Sequence, residues 1–112
     1  MQNEINTLIE TIKADYTFFM KRGNKDYDLA PHQVEMINEF NTGIAIKQGS
    51  KYIKVTTNKS VWGFIVNTDK DKKFVKGDIL KAAGYNAPAR NARRGNIVEG
   101  GYTVQWTGPL YL

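Results

Sequence analysis

Ile44 to Asn67, IAIKQGSKYIKVTTNKSVWGFIVN, is the stretch that decides the fold. Its apolar residues recur at a period of two, the signature of strands whose side chains alternate between faces. It divides into three strands, Ile44–Lys47, Lys51–Thr57 and Ser60–Asn67, joined by the short turns 48–50 and 57–59. In the second strand Ile53 and Val55 alternate against Tyr52 and Lys54. The third is apolar on both faces, with Val61, Gly63 and Ile65 on one and Trp62, Phe64 and Val66 on the other. A strand of that kind is central, covered by helix on one side and by loop or partner on the other. Gly63, between two large aromatics, predicts a bulge or a close backbone approach.

Upstream the period changes. Ile5, Leu8, Ile9, Ile12, Tyr16, Phe19 and Met20 share one face of a helix over 3–22. Lys21 and Arg22 suit its last turn and Gly23 its left-handed C′ position. The wide apolar face is expected to pack on the sheet. Its alternative use is a homodimer contact through this first helix. A second helix is predicted from Leu29 to Phe40, with Asp28 as N-cap, Pro31 in the first turn, Val34, Ile37 and Phe40 inward, and Asn41 and Gly43 at its end. His32, the one histidine, falls near its start.

At 112 residues the chain is one domain, 1–112, with a helical part over 1–43 and a basic, β-rich part over 44–112. Its 41% hydrophobic and 24% charged residues are those of a globular chain. It has no cysteine, which excludes disulfides, thiolate nucleophiles and cysteine metal sites. One histidine excludes a histidine metal cluster. No apolar run reaches membrane-spanning length, and MQNEINTLIE does not predict a secretory leader. Residues 1–40 hold four Lys/Arg against seven Asp/Glu, whereas residues 41–112 hold twelve against four. The basic half therefore suggests a polyanionic partner, nucleic acid above all.

Past the third strand, NTDKDKK (67–73) is a charged turn whose acids lack the spacing of a calcium loop. Phe74–Lys76 is expected to pair with, or continue into, Ile79–Lys81. DILKAAG reads as strand rather than helix. Gly84–Asn96 is loop by composition, with a helical turn possible near Ala89–Arg93. Tyr102–Thr107 is a half-buried strand that GlyPro (108–109) ends, and the apolar Leu110, Tyr111 and Leu112 are expected in the core or along a sheet edge.

Binding chemistry concentrates in this region. Arg90, Arg93 and Arg94 lie with Asn86, Asn91 and Asn96 in one loop, and guanidinium forks match phosphate oxygens. Gly84 and Gly95 allow backbone N–H groups close to an anion. Lys72, Lys73, Lys76 and Lys81 add positive potential. Tyr52, Trp62, Tyr85 and Trp106 offer rings for unpaired bases, Tyr85 best of all because it lies in a polar loop. The competing reading pairs the arginines with the acidic helical half. No P-loop or dinucleotide-binding fingerprint occurs, no catalytic residue stands out, and no cofactor or metal is expected. A small metal-dependent hydrolase would have only Asp69, Asp71, Asp78 and Glu99 to draw on in this half.

The segment GDILKAAGYNAPARNARRGN resembles one in small uncharacterised proteins of tailed bacteriophages, with the pattern G-D-[IV]-x-K-x-A-[GS]-[WY]-x-A-P-A, a basic residue, and then R-G-N. Gly77, Asp78, Ile79, Lys81, Ala83, Gly84, Tyr85, Ala87, Pro88, Ala89, Arg90, Arg94, Gly95 and Asn96 match it. VWGFIV (61–66) resembles the strand before it. The resemblance covers about the second half of the chain. It implies a phage protein acting in the host cytoplasm or the virion, and a loop shared as a signature, but no activity.

Together these features predict an α+β domain, two N-terminal helices followed by a mainly antiparallel sheet of four to six strands that can curl toward a small barrel. The predicted function is non-enzymatic nucleic-acid binding through Lys72, Lys73, Lys76, Lys81, Tyr85, Arg90, Arg93 and Arg94. The alternative is a phage protein that binds a host or phage protein, as a host or defence inhibitor or a virion component.

Overall fold

The computed structural model describes residues 1–58 and 60–109. The expected placement of Leu110–Leu112, and Lys59 in the turn 57–59, lie outside them. The fold is α+β. Helices α1 (Gln2–Met20) and α2 (Pro31–Thr42) precede strands β1 (Ile44–Gln48), β2 (Tyr52–Thr57), β3 (Ser60–Val66), β4 (Ile79–Leu80), β5 (Ala82–Gly84), β6 (Ala87–Pro88), β7 (Val104–Gln105) and β8 (Gly108–Pro109). The main sheet has the order β1-β2-β3-β4, and β5-β6 and β7-β8 are separate two-stranded sheets. All pairings are antiparallel. The four-stranded sheet stays open among the described residues, so no barrel forms.

Four residues of α1, Ile5, Leu8, Ile12 and Tyr16, are buried at helical spacing. They meet Ile37 and Phe40 of α2 and the sheet residues Ile53, Val55, Trp62, Ile65 and Ile79. The face offered for a homodimer is thus consumed inside the chain, except at its end. There Phe18 and Phe19 remain 60% and 57% exposed. Phe19, expected inward, lies at the edge of the core, its ring against Tyr16 and Trp106 while Met20 packs on the core. Tyr16 stacks on Phe40 with centroids 4.1 Å apart, and Trp106 meets both rings edge-on.

The helix ends differ from expectation in instructive ways. The helical turns of α1 stop at Met20, so Lys21 and Arg22 follow the last turn. Arg22 itself takes the left-handed conformation (φ 56°) and Gly23 follows at φ 72°. The Gly23 N–H reaches the Phe18 carbonyl and the Arg22 N–H that of Phe19, a Schellman closure with Arg22 at C′. Helix α2 starts at Pro31 and not Leu29, and its N-cap is Ala30, not Asp28. The residue before a proline is driven to extended backbone, here ψ 156° at Ala30, so no earlier start is open to it. The Gln33 side chain accepts the Ala30 N–H at 2.8 Å. Val34, expected inward, is 43% exposed, and only Ile37 and Phe40 of this helix are buried.

Strand β3 is central and buried on both faces, as its sequence predicts. The expected division of its faces fails at one point. Val55 faces Gly63 but Thr56 faces Val61, so Trp62 is the extra residue of a β-bulge. The bulge turns Trp62 toward the helices with Ile65, while Val61 joins Phe64, Val66, Phe74 and Leu80 on the far face. Trp62 then donates its indole N–H to the Gln105 carbonyl at 2.8 Å. A Cβ on Gly63 would stand 2.9 Å from the Leu80 carbonyl oxygen and 3.2 Å from Pro109. The bulge and the close approach both occur. Gly108–Pro109, expected to end the last strand, instead pairs back on Val104–Gln105 as β8.

Candidate nucleic-acid interface

The stretch 76–96 is built as a closure of the sheet. Residues 94–97 run antiparallel to 77–79: Arg94 N–H donates to Ile79, Ile79 N–H to Gly95, and Ile97 N–H to Gly77. An isolated bridge joins Asp78 to Asn96. The Asp78 carboxylate, only 2% exposed, accepts from the Val75 N–H (2.9 Å), Asn96 Nδ2 (3.0 Å) and Arg93 (3.1 Å). Asn96 also donates to the Lys76 carbonyl and accepts the N–H groups of Val98 and Glu99. Gly95 runs at φ 141°, with the Tyr102 Cβ 2.6 Å from where its own would stand. That glycine serves chain packing rather than an anion. No helical turn forms over 89–93, where the Ala89 N–H donates to the Lys81 carbonyl and the chain bends at Asn91.

The arginines are committed within the chain. Arg90 grips Asp71 with both terminal nitrogens, at 2.9 and 3.0 Å, donates to the Tyr52 hydroxyl, and lies over the Phe74 ring. Asp71 also accepts the Lys73 and Phe74 backbone N–H groups. The Arg90 hydrogen bond first, and these N–H groups next, hold the Asp71 carboxyl well below the usual carboxylate range. The same bond raises Arg90 further. Arg93 bridges Asp78 and Glu99, which raise it in that order. Arg94 is buried, with its side chain on the Ala92 carbonyl and Asn91. Lys73 caps the carbonyls of Arg90 and Asn91 at 2.6 and 2.9 Å. Arg90 and Arg93 do not take the rival pairing with the acidic helical half. Among the described residues their acidic partners are Asp71, Asp78 and Glu99 of the basic half itself.

With Asp71, Asp78 and Glu99 held by arginines, the outward charge of this half is mainly its lysines, with Asp69 exposed beside Lys70. A cleft of about 500 Å³ is lined by Ser50, Lys51, Thr68, Lys70, Asp71, Lys72 and Arg90. A second, of about 310 Å³, shares Ser50 and Lys51 with it and runs past Lys47, Tyr52 and Lys54 to Asn86. Above its end stands Tyr85, in the tight turn between β5 and β6 and 59% exposed. Lys54 Nζ sits 3.9 Å from the Tyr85 ring centroid and donates to Asn86 at 2.8 Å.

Of the residues singled out in the sequence, Lys72 and Tyr85 belong to this face, and Arg90 reaches it only as a paired group. Lys76 is exposed and Lys81 half-buried, and neither lines the clefts. Trp62 is core and Trp106 fills the corner between the helices, so neither is a stacking platform. Lys47, Lys51, Lys54 and Lys70 were missed. The signal for Lys54 was present, since it alternates outward with Tyr52. Lys47 lies near the end of β1, and Lys51 and Lys70 lie in the loops after β1 and β3; no local pattern encodes their mutual proximity.

At the opposite end an apolar groove of about 750 Å³ runs between Phe18, Phe19 and Met20 of α1 and Gln105–Thr107, edged by Asp15 and Arg22. Among the described residues no three His, Cys, Asp or Glu side chains gather as a metal site, and no helix is long and apolar enough to cross a membrane. No protein-family model, no curated protein and no solved structure matches this chain.

Proposed function

We propose that this protein binds nucleic acid, without catalysis, through the lysine-lined face formed by the turns 47–51 and 68–72 together with Lys54 and Tyr85. One observation carries the reading. The acid that lines the clefts, Asp71, is already held by Arg90, so Lys51, Lys70 and Lys72 outweigh the one further acid of the turn, the exposed Asp69. Positive potential beside an exposed tyrosine, here Tyr85, is a composition that nucleic-acid surfaces use. The resemblance to small tailed-phage proteins supports host cytoplasm or virion as the setting. The test is a gel shift against DNA and RNA at two salt concentrations. Affinity is expected to fall steeply with salt, and the triple variant Lys51→Ala, Lys70→Ala, Lys72→Ala to flatten the slope by about two to three. An unaltered slope would falsify this assignment of the face.

A second reading is a protein contact at the far groove, favoured by the exposure of Phe18 and Phe19 beside Trp106. It takes an apolar segment of a host or phage protein as its occupant, because Phe18, Phe19, Met20 and Trp106 line the groove and its one lining acid, Asp15, already accepts the Trp106 N–H. Capture of one such protein, insensitive to salt and abolished by Phe18→Ser with Phe19→Ser, supports it. Retention by that variant removes it.

A further inference from the structure

We infer that the nucleic acid taken by the lysine face is an unpaired strand, with phosphates along the two neighbouring clefts and a base stacked on Tyr85; this rests on the reading just proposed. Three features distinguish a single strand from a duplex. First, the cations line concave clefts rather than a convex helix. Duplex readers commonly present a basic helix to the major groove. Here α1 carries Glu4, Glu10 and Asp15 against a single Lys13, which pairs with Glu10, and α2 carries Glu35 and Glu39 with no Lys or Arg. Second, Ser50 and Lys51 line both clefts, so a flexible backbone can pass over them from Lys70 and Lys72 toward Lys54.

Third, Tyr85 is placed for stacking and not for packing. It stands at the tip of the β5–β6 turn with most of its ring in solvent, where a core tyrosine would be covered. It is nonetheless held, because Lys54 lies against the ring and is itself tied to Asn86 in the same turn. Exposed aromatic rings fixed beside cations gain energy from any base, since every base has a π-face. A base paired inside a duplex cannot reach such a ring. The expected binding is therefore tolerant of sequence.

The test uses fluorescence anisotropy with short labelled oligothymidine and oligouridine, the matching oligothymidine–oligoadenine duplex, and heparin as a polyanion without bases. Either single strand is expected to bind at least about tenfold tighter than the duplex. Tyr85→Ala should weaken single-strand binding roughly five- to hundredfold, the worth of one stacked base, and leave heparin unchanged. Tyr85→Phe should retain the wild-type affinity. Duplex binding as tight as single-strand binding, or an unaffected Tyr85→Ala protein, overturns the inference while leaving the polyanion face intact. Failure to bind heparin and every oligonucleotide overturns both. Circular dichroism of Tyr85→Ala confirms that a loss is not unfolding, since the side chain contributes nothing to either core cluster.

Discussion

Removing the Asn96 side chain tests whether the 76–96 segment is a folding device. In Asn96→Ala four hydrogen bonds go: two from Nδ2, to the Lys76 carbonyl (3.1 Å) and the Asp78 carboxylate (3.0 Å), and two to Oδ1, from the Val98 (2.8 Å) and Glu99 (3.0 Å) N–H groups. Val98 and Glu99 are exposed, so water replaces most of the latter pair. The former pair lies in a place where Asn96 is 3% and Asp78 2% exposed, and water has little access. The two buried bonds contribute about 1 kcal/mol each, net; the Asp78 carboxylate keeps the Val75 N–H and Arg93, and the Lys76 carbonyl left without Asn96 adds up to roughly 2 kcal/mol. The total is about 2–4 kcal/mol. For a domain of this size that lowers Tm by about 10–20 °C. Thermal melts followed by circular dichroism and by the near-ultraviolet signal of Trp62 and Trp106 measure it. A shift under about 2 °C would mean that the Asp78–Asn96 bridge does not hold the sheet edge, and the case for a structural rather than a binding role of this segment would collapse.

Other outcomes follow from the same contacts. Arg93→Ala with Arg94→Ala is expected to lower Tm through loss of the Asp78, Glu99 and Asn91 contacts while leaving the salt slope of polyanion binding unchanged; a flattened slope at unchanged Tm would return these arginines to the binding surface. Because the folded Asp71 carboxyl lies below its ordinary value of 3.8, its pairing with Arg90 stabilises the fold fully above about pH 4 and loses that contribution as pH falls toward the folded value. Melts of Asp71→Asn and wild type should accordingly differ most at neutral pH and converge in acid, and a constant gap would contradict this. Gly63→Ala should cost about 1–3 kcal/mol, since its methyl group meets a carbonyl and Pro109 across the bulge. Chemical denaturation reads that cost, and a neutral result would mean that the strand relaxes freely.

The strands were legible because alternation at period two is local and strong. Ile53 and Val55 face the core, and Gly63 announces its own bulge. What the alternation did not reveal was which residue is extra, and therefore that Trp62 changes faces. That depends on the partner strand. Helix α2 was displaced by two residues because Pro31 restricts the residue before it, a constraint that outweighs the capping preference of Asp28. The arginines were misleading for a chemical reason. A guanidinium fork fits carboxylate and phosphate alike, and the acids that claim Arg90 and Arg93 are 19 and 15 residues away along the chain.

By itself, then, the sequence determines an α+β chain: a buried stripe on α1, a central doubly apolar strand, an excess of positive charge after residue 40, and a tyrosine in a turn too polar to bury it. These depend on period, composition and local backbone preference. Only the tertiary structure decides what each charge does. Folding brings Asp71 to Arg90 and Asp78 to Arg93 and Asn96, which turns the most conspicuous basic segment into a brace along β4. The same folding gathers lysines from two separate turns around Ser50 and Lys51. The physical reason is that ion pairing depends on separation in space, and the turns that set those separations are fixed by the sheet register and not by the residues they carry.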